Sequence, residues 1–135
     1  MTFIKQHHST HNLTKTSTMK KLLMLPLALI LFTCNSEKYE LLNGKWNCHS
    51  WTIESSEDNQ CSSNVYFMFS PDKTYSSKIG SLEEKGHFML SGDKLICTPE
   101  GKMDIGVEIN TLTQDTLRFT MSRSGQKEIV TLLKE

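Results

Sequence analysis

Runs of β-favouring residues recur from residue 45 to the end of the chain, and turn signals separate them about every 8–12 residues. The alternation is clearest over residues 103–110, where every second residue from Met103 to Ile109 is apolar and those between are polar or glycine. Side chains alternate between the two faces of a strand, so one face of this strand lies in a core and the other in water. The pattern predicts a β-sandwich or a β-barrel.

The runs predict eight strands in consecutive up-and-down order. They cover residues 45–54, 65–69, 74–79, 86–90, 94–98, 103–110, 117–122 and 126–133. Eight antiparallel strands close naturally into a barrel, and closure removes the exposed edges that invite aggregation. We therefore expect an all-β fold, a small up-and-down eight-stranded antiparallel barrel.

A secretory signal precedes the strands. Met19-Lys20-Lys21 forms a short positive n-region, and the 11 residues 22–32 form an apolar h-region. A helix needs about 20 apolar residues to cross a bilayer, so this run is too short to remain as a membrane span. Residues 1–18 are polar, lack acids and would be an odd extension of a signal peptide, so we expect translation to start at Met19. Residues 1–33 are predicted to be the signal peptide.

Leu31-Phe32-Thr33-Cys34 resembles a bacterial lipobox, the cleavage site of lipoprotein precursors. The resemblance implies that Cys34 receives a diacylglyceryl group and becomes the new N-terminus. Residues 34–43 are then a lipidated cysteine and a polar tether, and residues 44–135 are the barrel. The expected location is the bacterial cell envelope, with the domain held on a membrane, the outer one, outside the cytoplasm. Soluble secretion is the alternative.

The charges are unevenly distributed along the chain. The whole chain is neutral, but from Cys34 onward 11 Lys and Arg face 15 Asp and Glu, a net charge of −4. Nucleic-acid binding requires clustered Lys and Arg that neutralise phosphates, and no such cluster follows Lys21. A nucleic-acid partner is therefore not expected.

Three segments of the expected barrel resemble bacterial lipocalin-like domains. The opening Leu42-Asn43-Gly44-Lys45-Trp46 resembles an L-x-G-x-W motif, and Phe69-Ser70-Pro71-Asp72-Lys73-Thr74-Tyr75 resembles an F-x-x-D-G-T-Y hairpin with Lys73 in place of glycine. Leu112-Thr113-Gln114-Asp115-Thr116-Leu117 resembles a late L-T-x-D-T-L hairpin. The resemblance covers about residues 41–134 and implies a lipocalin-like barrel that holds a small hydrophobic ligand. Trp46 is large enough to plug one end of such a barrel.

The barrel interior is the expected place for a ligand. The candidate ligand-binding residues are Phe67, Phe69, Phe88, Leu90, Met103, Ile105, Val107, Phe119 and Met121. Such an interior is either filled by side chains or open as a shallow apolar cup. A solid core would favour a different function, a protein-interaction module such as an envelope inhibitor or accessory subunit. Residues 55–63, a long polar loop, would then be its contact surface.

Cys48, Cys61 and Cys97 remain as disulfide candidates once Cys34 is set aside for lipidation. An oxidising compartment favours one bridge and leaves one odd cysteine. A Cys48–Cys61 bridge would clip the first hairpin, whereas a Cys61–Cys97 bridge would tie the loop to the barrel. The odd thiol is expected to be buried as a small apolar group.

No catalytic constellation is predicted, because no strand-turn-helix elbow or His-centred motif organises the serine, histidine and aspartate residues. The acidic pair Glu83-Glu84 is expected in a loop, as a solvated tip. The histidines and cysteines match no zinc-binding spacing. We therefore expect a protein that is not an enzyme and carries neither metal nor cofactor; the sequence leaves its oligomeric state open.

Overall fold

The chain that follows Cys34 forms a closed barrel of antiparallel strands. The computed structural model describes residues 35–135, so the predicted signal peptide, the start at Met19 and the lipidation site Cys34 lie outside the described residues. Within residues 35–135 there are eight strands: β1 Gly44–Ile53, β2 Val65–Phe69, β3 Thr74–Ile79, β4 Leu82–Ser91, β5 Lys94–Pro99, β6 Ile105–Leu112, β7 Thr116–Arg123 and β8 Gln126–Lys134. Each pairs with its neighbours in sequence order, and β1 also pairs with β8. The predicted all-β, up-and-down, eight-stranded barrel is confirmed.

Two strands begin two or more residues away from their predicted starts, and the other strand starts agree to within one residue. Strand β4 begins at Leu82 instead of residue 86, because a two-residue turn pairs Ile79 directly with Leu82. Gly80 has a φ of 64° in this turn, a conformation that glycine adopts without steric cost. Strand β6 begins at Ile105, two residues later than expected, because Asp104 accepts a hydrogen bond from the Thr98 hydroxyl (2.8 Å) and belongs to the preceding turn.

The segment expected to be a polar tether is helical over residues 35–42, here called α1, and it packs on one end of the barrel. Leu42 is fully buried, and its carbonyl accepts a hydrogen bond from Trp46 Nε1 at 2.7 Å. Lys134 Nζ donates to the Leu41 carbonyl at 2.9 Å and lies 5.0 Å from the centre of the Trp46 ring. Trp46 is itself fully buried, so it closes this end together with the helix.

Further contacts fasten α1 to the strand ends beneath it. The Tyr39 hydroxyl accepts a hydrogen bond from the Leu90 amide at 2.9 Å, and its ring lies 5.9 Å from that of Phe88. Lys38 forms an ion pair with Asp93 in the β4–β5 turn, at 2.8 Å. We call this the closed end of the barrel and the opposite one the open end.

The long β1–β2 connection is held by a disulfide between Cys48 and Cys61, the first of the two pairings left open by the sequence. Asn59 organises the same loop, because its Oδ1 accepts hydrogen bonds from the amides of Trp51 (2.9 Å) and Cys61 (3.0 Å). In the part of the chain that the structure describes, Cys97 is the odd cysteine. No helix within residues 35–135 is long and apolar enough to cross a membrane.

Candidate functional site

A partly enclosed cavity of about 110 Å³ lies inside the barrel, in the half nearer the open end. Every strand contributes to its wall. The lining residues are Trp51, Phe67, Phe69, Tyr75, Ser77, Ile79, Glu84, Leu95, Cys97, Ile105, Val107, Phe119, Met121, Arg123 and Val130. Most of these side chains are apolar, so the cavity is suited to an apolar group with a few polar contacts at its edge.

Six of the nine ligand-binding candidates line this cavity: Phe67, Phe69, Ile105, Val107, Phe119 and Met121. Phe88 and Leu90 also point inward, but they are buried in the closed half, where Phe88 packs edge-on against Phe69 with ring centres 5.0 Å apart. Met103 does not point inward. It lies in the β5–β6 turn with 88% of its surface exposed, so its predicted interior position is wrong. Because β6 begins only at Ile105, Met103 lies before the strand and does not take part in its alternation.

One wall of the cavity carries a carboxylate that was expected in a solvated loop. Glu84 lies on β4, its side chain is only 18% exposed, and it lines the cavity, so its assignment to a solvated tip is wrong. Its Oε1 accepts a hydrogen bond from the Tyr75 hydroxyl at 2.8 Å, and its Oε2 accepts one from Lys102 Nζ at 3.1 Å. Burial, and then the hydrogen bond to Glu84, raise the pKa of Tyr75 well above its usual value. Tyr75 therefore remains a hydrogen-bond donor at any physiological pH.

A second carboxylate lies beside the opposite wall, on β8. Glu128 is 5% exposed and accepts a hydrogen bond from Trp51 Nε1 through Oε2, at 2.8 Å. Its other oxygen, Oε1, lies 3.6 Å from Arg123 Nε. The Arg123 guanidinium carbon lies 5.7 Å from the centre of the Trp51 ring. These three side chains form a contiguous group at the open end, which we call the Trp51–Glu128–Arg123 group.

The odd cysteine, Cys97, is part of the apolar wall. Burial, and to a lesser extent the charge of Glu84, raise the pKa of its thiol to about 12. The nucleophilic and metal-binding form of cysteine is the thiolate, so at neutral pH this side chain acts as a small apolar group. Among the described residues, no three His, Cys, Asp or Glu side chains are grouped as metal ligands.

Strand alternation carried a signal for both buried carboxylates. Glu84 shares its face of β4 with Phe88 and Leu90, and Glu128 shares its face of β8 with Val130 and Leu132. Extending each apolar face by two or four residues toward the open end reaches them. Charge masked the pattern, because a carboxylate is rarely buried without partners, and the partners come from distant strands.

Comparisons with known proteins agree with this architecture. The model of the lipocalin-like domain family matches residues 42–119. The fold is similar to that of a lipocalin-like protein from Bacteroides uniformis, with 14% identity and a TM-score of 0.55 over 70% of this chain and 99% of that chain. An uncharacterized protein from Bacteroides eggerthii is similar at 12% identity, with a TM-score of 0.56 and the same coverage. No curated protein sequence matches the chain.

Proposed function

Because the chain belongs to the lipocalin-like domain family, we propose that it is a binding protein whose barrel receives the small apolar part of a ligand through the open end. The observation that carries this proposal is the cavity of about 110 Å³, which has a wall from every strand. Pockets that enclose whole small molecules typically span about 300–1,000 Å³. The cavity therefore suits one end of a ligand, whose remainder stays at the open end.

The cavity also favours this function over the alternative of a protein-interaction module, which was expected to have a solid core. An enclosed cavity in a core lowers the stability of a domain by about 24 cal/mol per Å³, which sets an upper bound of about 2–3 kcal/mol for 110 Å³ of partly enclosed space. Small domains have only about 5–15 kcal/mol of net stability. A single larger side chain would fill a cavity of this size, so its presence supports ligand binding over a solid core.

A cavity-filling substitution tests the proposal. Val107 lines the cavity on β6, and Val107→Phe extends a ring into the space that the ligand needs. Thr111→Phe adds the same ring at an exposed position of the same strand and serves as the matched control. NMR titration with benzene, a probe that suits small apolar cavities, should shift the signals of the cavity residues in the wild type and in Thr111→Phe. A folded Val107→Phe protein that responds to benzene as the wild type does would contradict the proposal.

We further propose that the protein is an envelope lipoprotein anchored through Cys34. The lipobox-like segment and the preceding apolar run support this proposal. Asn35, the next residue, already belongs to α1 at the closed end. Since consecutive Cα atoms are about 3.8 Å apart, an acylated Cys34 would hold the closed end close to the membrane. The open end could then receive ligand from the aqueous side.

Membrane fractionation and mass spectrometry test the anchor. The wild type and a Cys97→Ser control should fractionate with membranes and carry an acylated N-terminal cysteine. Cys34→Ser should lose both the acyl group and the membrane association, since multiple acyl chains supply about 0.8 kcal/mol per buried methylene. An unmodified mature N-terminus in the wild type would refute the lipoprotein assignment and support soluble secretion.

A further inference from the structure

Arg123 connects the cavity to the solvent at the open end. It is the last residue of β7, lines the cavity, and has a side chain that is 60% exposed. The two residues that follow it, Ser124 and Gly125, have φ values of 52° and 79° and form the tight turn into β8. The backbone of Arg123 therefore lies next to a tight hairpin turn, and its guanidinium lies beside the cavity.

The guanidinium lies beside the Glu128 carboxylate and the Trp51 ring, and its hydrogen-bonding capacity is unused. Its Nε lies 3.6 Å from Glu128 Oε1, and its central carbon lies 5.7 Å from the centre of the Trp51 ring. Guanidinium carries five N–H donors. Among the residues that the structure describes, none accepts a hydrogen bond from it, so the edge formed by Nη1 and Nη2 is available to a ligand.

The other charged groups that border the cavity, Glu84 and Glu128, already have partners. Glu84 accepts a hydrogen bond on each oxygen, one from Tyr75 and one from Lys102, so Lys102 also has a partner. Glu128 has Trp51 on one oxygen and the Arg123 guanidinium near the other. The unused capacity is therefore that of a hydrogen-bond donor with positive charge, and its complement is an anionic acceptor. The planar fork of an arginine matches a carboxylate or a phosphate with two parallel hydrogen bonds.

We propose that the ligand is an anionic amphiphile whose carboxylate or phosphate binds Arg123 and whose apolar tail enters the cavity. This inference rests on the proposed function, which requires only the apolar part. A cavity of about 150 Å³ accommodates benzene, so about 110 Å³ accepts a tail on the order of four carbons. Ile105 and Leu82, both partly exposed at the open end, provide apolar surface for the rest of the tail.

Four six-carbon probes with different head groups test the inference: hexanoate, hexyl phosphate, 1-hexanol and hexylamine. NMR titration of the whole chain at pH 7 should give hexanoate or hexyl phosphate an affinity about tenfold above that of 1-hexanol, since hydrogen bonds to charged groups exceed neutral ones. Arg123→Gln should remove this advantage, so that the anions bind no more tightly than 1-hexanol. Arg118→Gln, at an exposed position of the same strand, should behave as the wild type.

The outcomes separate the two proposals. If 1-hexanol binds as tightly as the anions, and Arg123→Gln changes neither, the anionic head group is refuted while the apolar cavity site stands. If hexylamine binds most tightly, the carboxylates of Glu84 and Glu128 bind a cationic head group and the inference is overturned. If no probe binds, the proposed function fails as well. The ratio of hexanoate to hexyl phosphate affinity identifies the preferred anion. Arg123→Lys keeps the charge but not the fork, so an intermediate affinity supports a two-bond contact even if Arg123→Gln folds poorly.

Discussion

Trp51→Phe isolates the hydrogen bond that secures the buried carboxylate of Glu128. The substitution keeps an aromatic ring in a buried position but removes the Nε1–H donor, which lies 2.8 Å from Glu128 Oε2. Glu128, 5% exposed, then retains only Arg123, which is 3.6 Å away and largely in solvent. A hydrogen bond to a charged group contributes about 1.5–3 kcal/mol, so we expect a loss of about 2 kcal/mol in the free energy of unfolding. For a domain of this size, that lowers Tm by about 8–16 °C.

Urea denaturation of Trp51→Phe, Glu128→Gln and the double variant measures this contribution at pH 7. Trp46, fully buried at the closed end, is the remaining tryptophan in Trp51→Phe and reports unfolding by fluorescence. Coupling of 1 kcal/mol or more between the two substitutions is expected, as about 0.5–3 kcal/mol is typical of residues in contact. A loss below about 0.5 kcal/mol in Trp51→Phe, or additive effects in the double variant, would show that the bond does not stabilise the open end.

Three further predictions concern the cysteines. The Cys48–Cys61 bridge closes a loop with a sequence separation of 13, and we expect Cys48→Ala/Cys61→Ala to lower the free energy of unfolding by about 2–3 kcal/mol in urea denaturation; an unchanged midpoint would contradict this. The Cys97 thiol should resist iodoacetamide at pH 8, because the protonated form is unreactive and its pKa is raised from 9.0 to about 12. A raised pKa for an acid means that the folded state holds its proton longer, so the stabilisation is complete below pH 9 and is lost between pH 9 and about 12. Alkylation of Cys97 as fast as that of a free thiol would contradict the expected resistance. Thermal melts of the wild type and Cys97→Ser between pH 9 and about 12 test the pH dependence, and the Tm of the wild type should fall relative to that of Cys97→Ser as the pH rises.

The two ends of the barrel differ in structure. The difference comes from the cavity, the Trp51–Glu128–Arg123 group and the placement of α1. One end is closed by Trp46 and the helix, and the other carries the Arg123 guanidinium beside the cavity and the exposed Ile105. A ligand with an apolar tail and a polar head matches this polarity along the barrel axis. The same asymmetry explains why the proposed lipid anchor and the proposed binding site can operate without obstructing each other.

The number and order of the strands could be predicted because alternation and turn residues are local signals. The segment from Ile105 to Ile109 shows a buried face without reference to any other part of the chain, and Ser124-Gly125 marks a tight turn by itself. The interior position of Phe67, Phe119 and similar residues followed from the same alternation.

Contacts between distant residues decided the rest. The helix α1 carries few apolar residues and is defined by contacts such as that of Leu41 with Lys134, 93 positions away. The burial of Glu128 depends on Trp51, 77 positions away, and the choice of Cys48 over Cys97 as the partner of Cys61 depends on the path of a loop. Because the size of a cavity is what remains after such side chains pack, the sequence alone determined the barrel, whereas only the tertiary structure decided which end is open and what it can hold.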